Sequence, residues 1–223
     1  MMNNRPYLVI GGDLVPTKKN TQEFISGNID TLLGEKIKQI WNDSEYRIFN
    51  LETPISNSKK TFEKAGTFLG AKAETFNGIK NLNPDLICLA NNHIMDLGIE
   101  GAQDTISLLN ANNIQYVGFG SSIDEMNDFC LFEYNDKKIG IYNCCEHEFT
   151  YARTDRCGTN PFNPLQSLFR IKYLSKKCDF LVVIYHGGKE LYQYCSPKLK
   201  ETCHAMVEAG ANVVLCQHSH CVS

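Results

Sequence analysis

Five places in this chain put metal-ligand or acid–base side chains at the end of an apolar run. Asp13 closes the run 7–13, and Glu52 closes 46–52. Asn92 and His93 close 85–93, His186 closes 179–186, and His218 with His220 closes 211–220. A sixth run, 138–143, ends in Asn143 and brings no obvious ligand to its tip. Imidazole nitrogens, carboxylates and amide oxygens suit divalent cations such as zinc, iron and manganese. Gathered in one place, they would hold cations that activate water and neutralise charge on an anionic substrate.

Each motif has its own chemistry. In Gln217-His-Ser-His220, two imidazoles two residues apart at a strand end can turn toward one site. In Ala90-Asn-Asn-His93, Asn92 offers an amide oxygen to a metal and His93 can donate a proton to a leaving group. Asp96, three residues on, can hold the His93 ring in a useful tautomer. Gly11-Gly12 allows a tight turn beside Asp13. His186 is followed by Gly187-Gly188, which leaves room for a ligand to approach. Glu190 lies four residues beyond His186, within reach of substrate. His147, in Glu146-His-Glu148, resembles a chelating motif but sits in an irregular stretch. His204, inside a helical pattern, reads as ordinary packing or surface.

Continuous apolar runs of this length predict strands buried on both faces. Helical spacing recurs between them. Residues 29–41 carry Ile29, Leu32, Leu33, Ile37, Ile40 and Trp41, and residues 100–112 carry Ala102, Ile106 and Leu109. Residues 165–176 carry Leu165, Leu168, Phe169 and Tyr173. Residues 197–209 place Leu199, Cys203 and Met206 inward, with Ser196 as N-cap, Pro197 at the first helical position and Gly210 past the end. Alternating strands and helices predict a layered α/β domain, with ligands outside the carboxyl ends of the strands. Residues 53–73 and 144–164 break the rhythm and follow strand ends, as binding loops do.

The 223 residues predict a single domain spanning 1–223. A net charge of -3, from 22 basic and 25 acidic residues, argues against a nucleic-acid partner. No apolar stretch is long enough to span a membrane. The N-terminus, which runs almost directly into the first strand, resembles neither a signal peptide nor an anchor. A cytoplasmic protein is therefore expected. Its ten cysteines form no C-x-x-C pair and are expected as reduced thiols, with Cys88, Cys144 and Cys216 in core strands. Because the chain stops three residues after His220, we expect the N-terminal major part of a longer protein, or a shortened one.

The series GGD, NLETP, LANNHxxDxG, YHGGKE and AGANVVLCQHSH resembles the CapA family of capsule and poly-γ-glutamate synthesis proteins, relatives of the calcineurin-like metallophosphoesterases. The resemblance runs from about residue 7 to the end, and the stretch Asn91 to Gly98 is its most specific part. It implies a four-layer α/β/β/α sandwich, here lacking its C-terminal strands, around two divalent metal ions. Manganese, iron and zinc all suit such ligands. It further implies Asp13, Glu52, Asn92, His186, His218 and His220 as ligands and His93, with Asp96, as the proton donor. Asn91 and Glu190 are expected as substrate contacts. Two positions depart from the wider phosphoesterase pattern. Leu14 and Val15 follow Asp13 where a D-x-H motif would carry a histidine, and Glu52 stands where the bridging ligand is usually aspartate. The functional expectation is a metal-dependent hydrolase acting on an anionic small molecule or polymer. The alternative is a non-hydrolytic accessory protein that docks a polyanion through its cations.

Overall fold

A computed structural model describes residues 7–222. Their contacts gather into two compact units, one of residues up to 87 plus 93–115, the other of 88–92 plus 116 onward.

The first unit contains β1 (Leu8–Leu14), α1 (Thr21–Ser26), α2 (Ile29–Asp43), β2 (Tyr46–Leu51) and α3 (Phe76–Asn81). Most of β3 (Leu86–Cys88), all of α4 (Gly98–Ala111) and the first residue of β4 (Gln115–Val117) complete it. β1 runs parallel to β2, with Asp13 opposite Asn50, after an irregularity in register between Ile10 and Asp13. β1 lies at a sheet edge, and its residues are only partly buried. The predicted burial on both faces therefore holds for the inner strand β2 but not for β1. α2 also departs from expectation. Gly34 takes φ 68° and ψ 162°, breaking the helix into two pieces, a conformation that glycine adopts without the usual Cβ penalty. The break interrupts the apolar stripe, so Ile37 and Ile40 face solvent while Trp41 is buried. The Trp41 indole N–H donates to the Leu82 carbonyl at 2.6 Å, satisfying its one polar atom.

The second unit contains β5 (Phe119–Gly120), β6 (Met126–Asn127), β7 (Phe129–Tyr134), β8 (Lys137–Cys145), β9 (Gly158–Thr159) and α5 (Pro164–Leu174). β10 (Phe180–His186), α6 (Pro197–Glu208) and β11 (Val213–Gln217) follow. One sheet has the order β11-β10-β8-β7. The three strands β8, β10 and β11 are parallel, joined through α5 and α6, whereas β7 and β8 form a hairpin. The central strand β10 is buried along all but its first residue, as its apolar run requires. β11 is the edge strand, so Val213 and Cys216 are exposed. Cys216 is thus not the core thiol its apolar run predicted.

α5 turns a different face inward from the one expected. Ser167, Ile171 and Leu174 are buried, and Leu168 packs partly against them. Leu165, Phe169 and Tyr173 are exposed. The helix carries two overlapping apolar stripes, and the Tyr142, Cys144, Leu181 and Tyr185 cluster takes the one containing Ile171. The Tyr173 ring is instead flanked by the cations of Arg170 and Lys177, at 5.6 and 5.1 Å from its centre. α6 follows the sequence closely. The Ser196 side chain accepts from the Leu199 N–H at 3.1 Å, Met206 is buried, and Gly210 takes the positive φ expected just past a helix end. No helix among the described residues is long and apolar enough to cross a membrane.

Candidate metal and acid–base site

In the second unit, parallel pairing decides where the histidines go. His186 pairs with Cys145 on one side and Gln217 on the other. The carboxyl ends of β8, β10 and β11 therefore lie side by side, and the residues that follow them meet at one sheet edge. His186 and His218 are nearly fully buried, with ring centres 5.0 Å apart. His220 lies 6.1 Å from His218. Glu190 Oε1 is 3.8 Å from Nε2 of both His218 and His220. Asn92 Oδ1 is 2.8 Å from His186 Nε2. Imidazole nitrogens, an amide oxygen and a carboxylate at such spacing form a donor set that fits a borderline divalent cation.

His147 joins this group, its ring 4.5 Å from His218 and 6.0 Å from His186. Along the chain it shows only as the centre of an E-H-E pattern in an irregular stretch. Its relevance comes from its position two residues past β8. His204 is exposed on α6, away from any such role.

Both histidines of the H-x-H motif have positive φ, 90° for His218 and 53° for His220. Non-glycine residues rarely adopt this region, and such strain collects at functional sites. The turn after β10 is held by Glu146. Its carboxylate accepts the Gly188 N–H at 2.7 Å and a short hydrogen bond from the Tyr185 hydroxyl. Burial, then the hydrogen bond to Glu146, pushes the Tyr185 hydroxyl far above its ordinary range, so it remains a donor. A Cβ at Gly187 would lie 2.6 Å from the Glu146 side chain. Gly187 thus makes room for the Glu146 side chain.

Asn143, the tip without an obvious ligand, has a structural task. Its Oδ1 accepts the Ala90 N–H at 2.9 Å, and its Nδ2 donates to the Ile184 carbonyl at 3.0 Å. It ties the turn carrying Asn91 and Asn92, both buried, to the sheet. Asn143→Ala should destabilise the protein by about 2 kcal/mol, by stranding two buried backbone groups. Urea denaturation measures this, and a change below about 0.5 kcal/mol would mean that the turn is held by other contacts.

In the first unit, Asp13 and Glu52 stand at the ends of neighbouring parallel strands. Asp13 Oδ1 accepts from Asn50 Nδ2 at 2.7 Å, and Glu52 is 1% exposed. The Glu52 N–H donates to the Leu14 carbonyl at 3.1 Å.

His93 and Asp96 meet as expected, with His93 Nδ1 2.6 Å from Asp96 Oδ2. A third member was not anticipated. Lys64 Nζ lies 2.5 Å from Asp96 Oδ1 and 3.1 Å from His93 Nδ1, with its side chain only 3% exposed. Asp96 Oδ2 also accepts the Leu69 N–H at 2.7 Å, and the Asp96 carbonyl accepts the Phe62 N–H at 3.1 Å. The irregular segment 53–73 is thus wrapped around Asp96. Lys64 lies within the polar, irregular stretch 53–73. Nothing in its neighbours along the chain signals a buried ion pair.

The sequence pattern of the bacterial capsule synthesis protein family PGA_cap matches residues 7–223. The chain belongs to that family. It is 26% identical over 234 residues to the capsule biosynthesis protein CapA of Bacillus anthracis, covering 93% of this chain and 57% of that one. It is 24% identical to a Mycobacterium tuberculosis protein named as a probable polyglutamine synthesis accessory protein, covering 78% of this chain and 49% of that one. The chain therefore spans about half the length of these relatives. Among solved structures, a phosphatase from Mycoplasma pneumoniae superposes with a TM-score of 0.54 at 18% identity, covering 96% of this chain and 64% of that one. The chain also shares its mixed α/β fold with a putative 5'-nucleotidase from Staphylococcus aureus, at a TM-score of 0.58 and 16% identity, covering 96% of this chain and 44% of that one.

Proposed function

We propose that this chain carries a metal-dependent hydrolytic centre of the metallophosphoesterase type, acting on a phosphoester or a related bond in an anionic substrate of capsule or poly-γ-glutamate synthesis. Asp13, Glu52, Asn92, His186, His218 and His220 would hold two divalent cations, with manganese, iron and zinc all compatible. Such cations supply a water-derived nucleophile at neutral pH and neutralise charge on the substrate's oxygens. His93, oriented through Nδ1 by Asp96, presents Nε2 as the proton donor to the leaving oxygen. Asn91 and Glu190 contact the substrate. The observation that best supports this reading is the parallel sheet edge of the second unit, where His186, His218, His220 and Glu190 converge.

Elemental analysis of protein purified without chelator tests the proposal. About two equivalents of metal are expected, with a clear loss in both His218→Ala and His220→Ala. Metal content unchanged in both variants would remove the centre.

A second reading, a non-hydrolytic accessory protein that docks a polyanion, draws on the departure at Leu14 and Val15. The name of the mycobacterial relative also includes an accessory role. The His93–Asp96 pair favours hydrolysis, because docking needs no proton donor. Assays of the metal-loaded protein on simple phosphodiesters and on γ-linked glutamate chains separate the two: turnover of either supports hydrolysis, and binding without turnover supports docking.

A further inference from the structure

Cys203 on α6 and Cys216 on β11 place their sulfurs 3.5 Å apart. A disulfide is about 2.0 Å long, so side-chain rotation needs to close only the remaining gap. Cys216 is exposed and Cys203 is partly so, whereas Cys88, Cys144, Cys145 and Cys157 are buried. A cavity of 220 Å³ lined by Cys195, Leu199, Cys216, Ser219 and Cys221 opens beside the pair and admits a small reagent. The two sulfurs bridge α6 and β11, elements consecutive in the chain. β11 is the edge of its sheet, paired only with β10 in that sheet's strand order.

We propose that Cys203 and Cys216 are a redox-responsive thiol pair that closes to a disulfide in the presence of a small-molecule disulfide such as oxidised glutathione. One cysteine thiol loses its proton to solvent, and its sulfur attacks the glutathione disulfide. That S–S bond breaks, and one glutathione thiolate leaves. The second cysteine, also deprotonated, attacks the sulfur of the mixed disulfide, and the other glutathione leaves. The protein loses two protons and two electrons; the two departing glutathione thiolates take up protons from solvent, so one glutathione disulfide becomes two glutathione thiols. The new bond ties α6 to β11 immediately before Gln217, His218 and His220. Oxidation therefore restrains the strand that delivers the histidine pair, a role independent of any hydrolytic activity.

The test treats the full chain with graded ratios of oxidised to reduced glutathione, then blocks the remaining thiols. Cys203, Cys216 and Cys221 share one tryptic fragment, because no Lys or Arg follows Lys200. Cleavage after Glu208 separates Cys203 from the other two, and a Cys221→Ser background leaves one partner sulfur beyond it. The expected result is a linked pair of peptides containing Cys203 and Cys216, lighter by two hydrogens than their sum. It should disappear in Cys203→Ser and persist in Cys195→Ser. Amide exchange across residues 213–217 should slow on oxidation of the parent and not of Cys203→Ser. Linkage of Cys216 to Cys195, or glutathione on Cys203 and Cys216 without a link at every ratio, would overturn the proposal. A link that forms without slowing exchange in β11 would overturn the restraint.

Discussion

Replacing Lys64 with methionine is expected to remove about 3–5 kcal/mol of folding stability. The lysine side chain is 3% exposed and its partner Asp96 is 1% exposed, so the substitution leaves a buried carboxylate without its cation. Hydrogen bonding from the Leu69 N–H, and the nearby His93 ring, keep the loss toward the lower end of that range. Breaking one partner of a buried pair costs more than removing both, because the survivor keeps its desolvation penalty. Lys64→Met combined with Asp96→Leu should therefore recover part of the loss, a non-additivity that denaturant titration of the four proteins measures. Asp96→Leu also strips His93 and Leu69 of their acceptor, so the recovery is incomplete. A single variant within about 0.5 kcal/mol of the parent would show that the ion pair has no weight in the folded state.

Replacing His93 with alanine is expected to lower turnover by about 10²-fold or more, with metal content near normal. His93 neighbours the proposed ligand Asn92, but its own Nδ1 is committed to Asp96. That commitment points Nε2 away from Asp96, and Nε2 would be the donor in the proposed reaction. A leaving oxygen that must depart without a proton is a poor leaving group, which is where the rate loss originates. Substrates with already acidic leaving groups, such as nitrophenolate, should be affected much less. Equal turnover by variant and parent on an alkyl phosphoester would remove His93 from the mechanism, while intact metal content would leave the cation centre standing.

The sequence revealed the parts of this protein that depend on continuous apolar patterns. The runs at 138–143 and 179–186 became adjacent parallel strands, and that pairing brings their carboxyl ends to one sheet edge. Edge positions were less visible, because a strand's own composition does not say how many neighbours it will have. β1 and β11 illustrate this. The inward face of α5 was misread because Leu165, Phe169 and Tyr173 form a helical stripe as regular as the buried one. Only the partner surface distinguishes them. Among site residues, His93 and Asp96 were legible because three residues separate them on one turn. Lys64 and Glu146 were not, and His147 showed only as a local motif, because their partners are set by the path of an irregular segment. Long-range pairing of this kind leaves no periodic trace.

Asp96 serves three masters at once: the imidazole of His93, the ammonium of Lys64 and the backbone of Leu69. The proposed proton donor and the segment 62–69 therefore share one anchor. Whatever grips that segment from outside also steadies the imidazole, and whatever orders the imidazole steadies the segment, by the same free energy in both directions. In the proposed hydrolase, order in that segment and readiness of the imidazole to give up its proton would then be two faces of a single equilibrium.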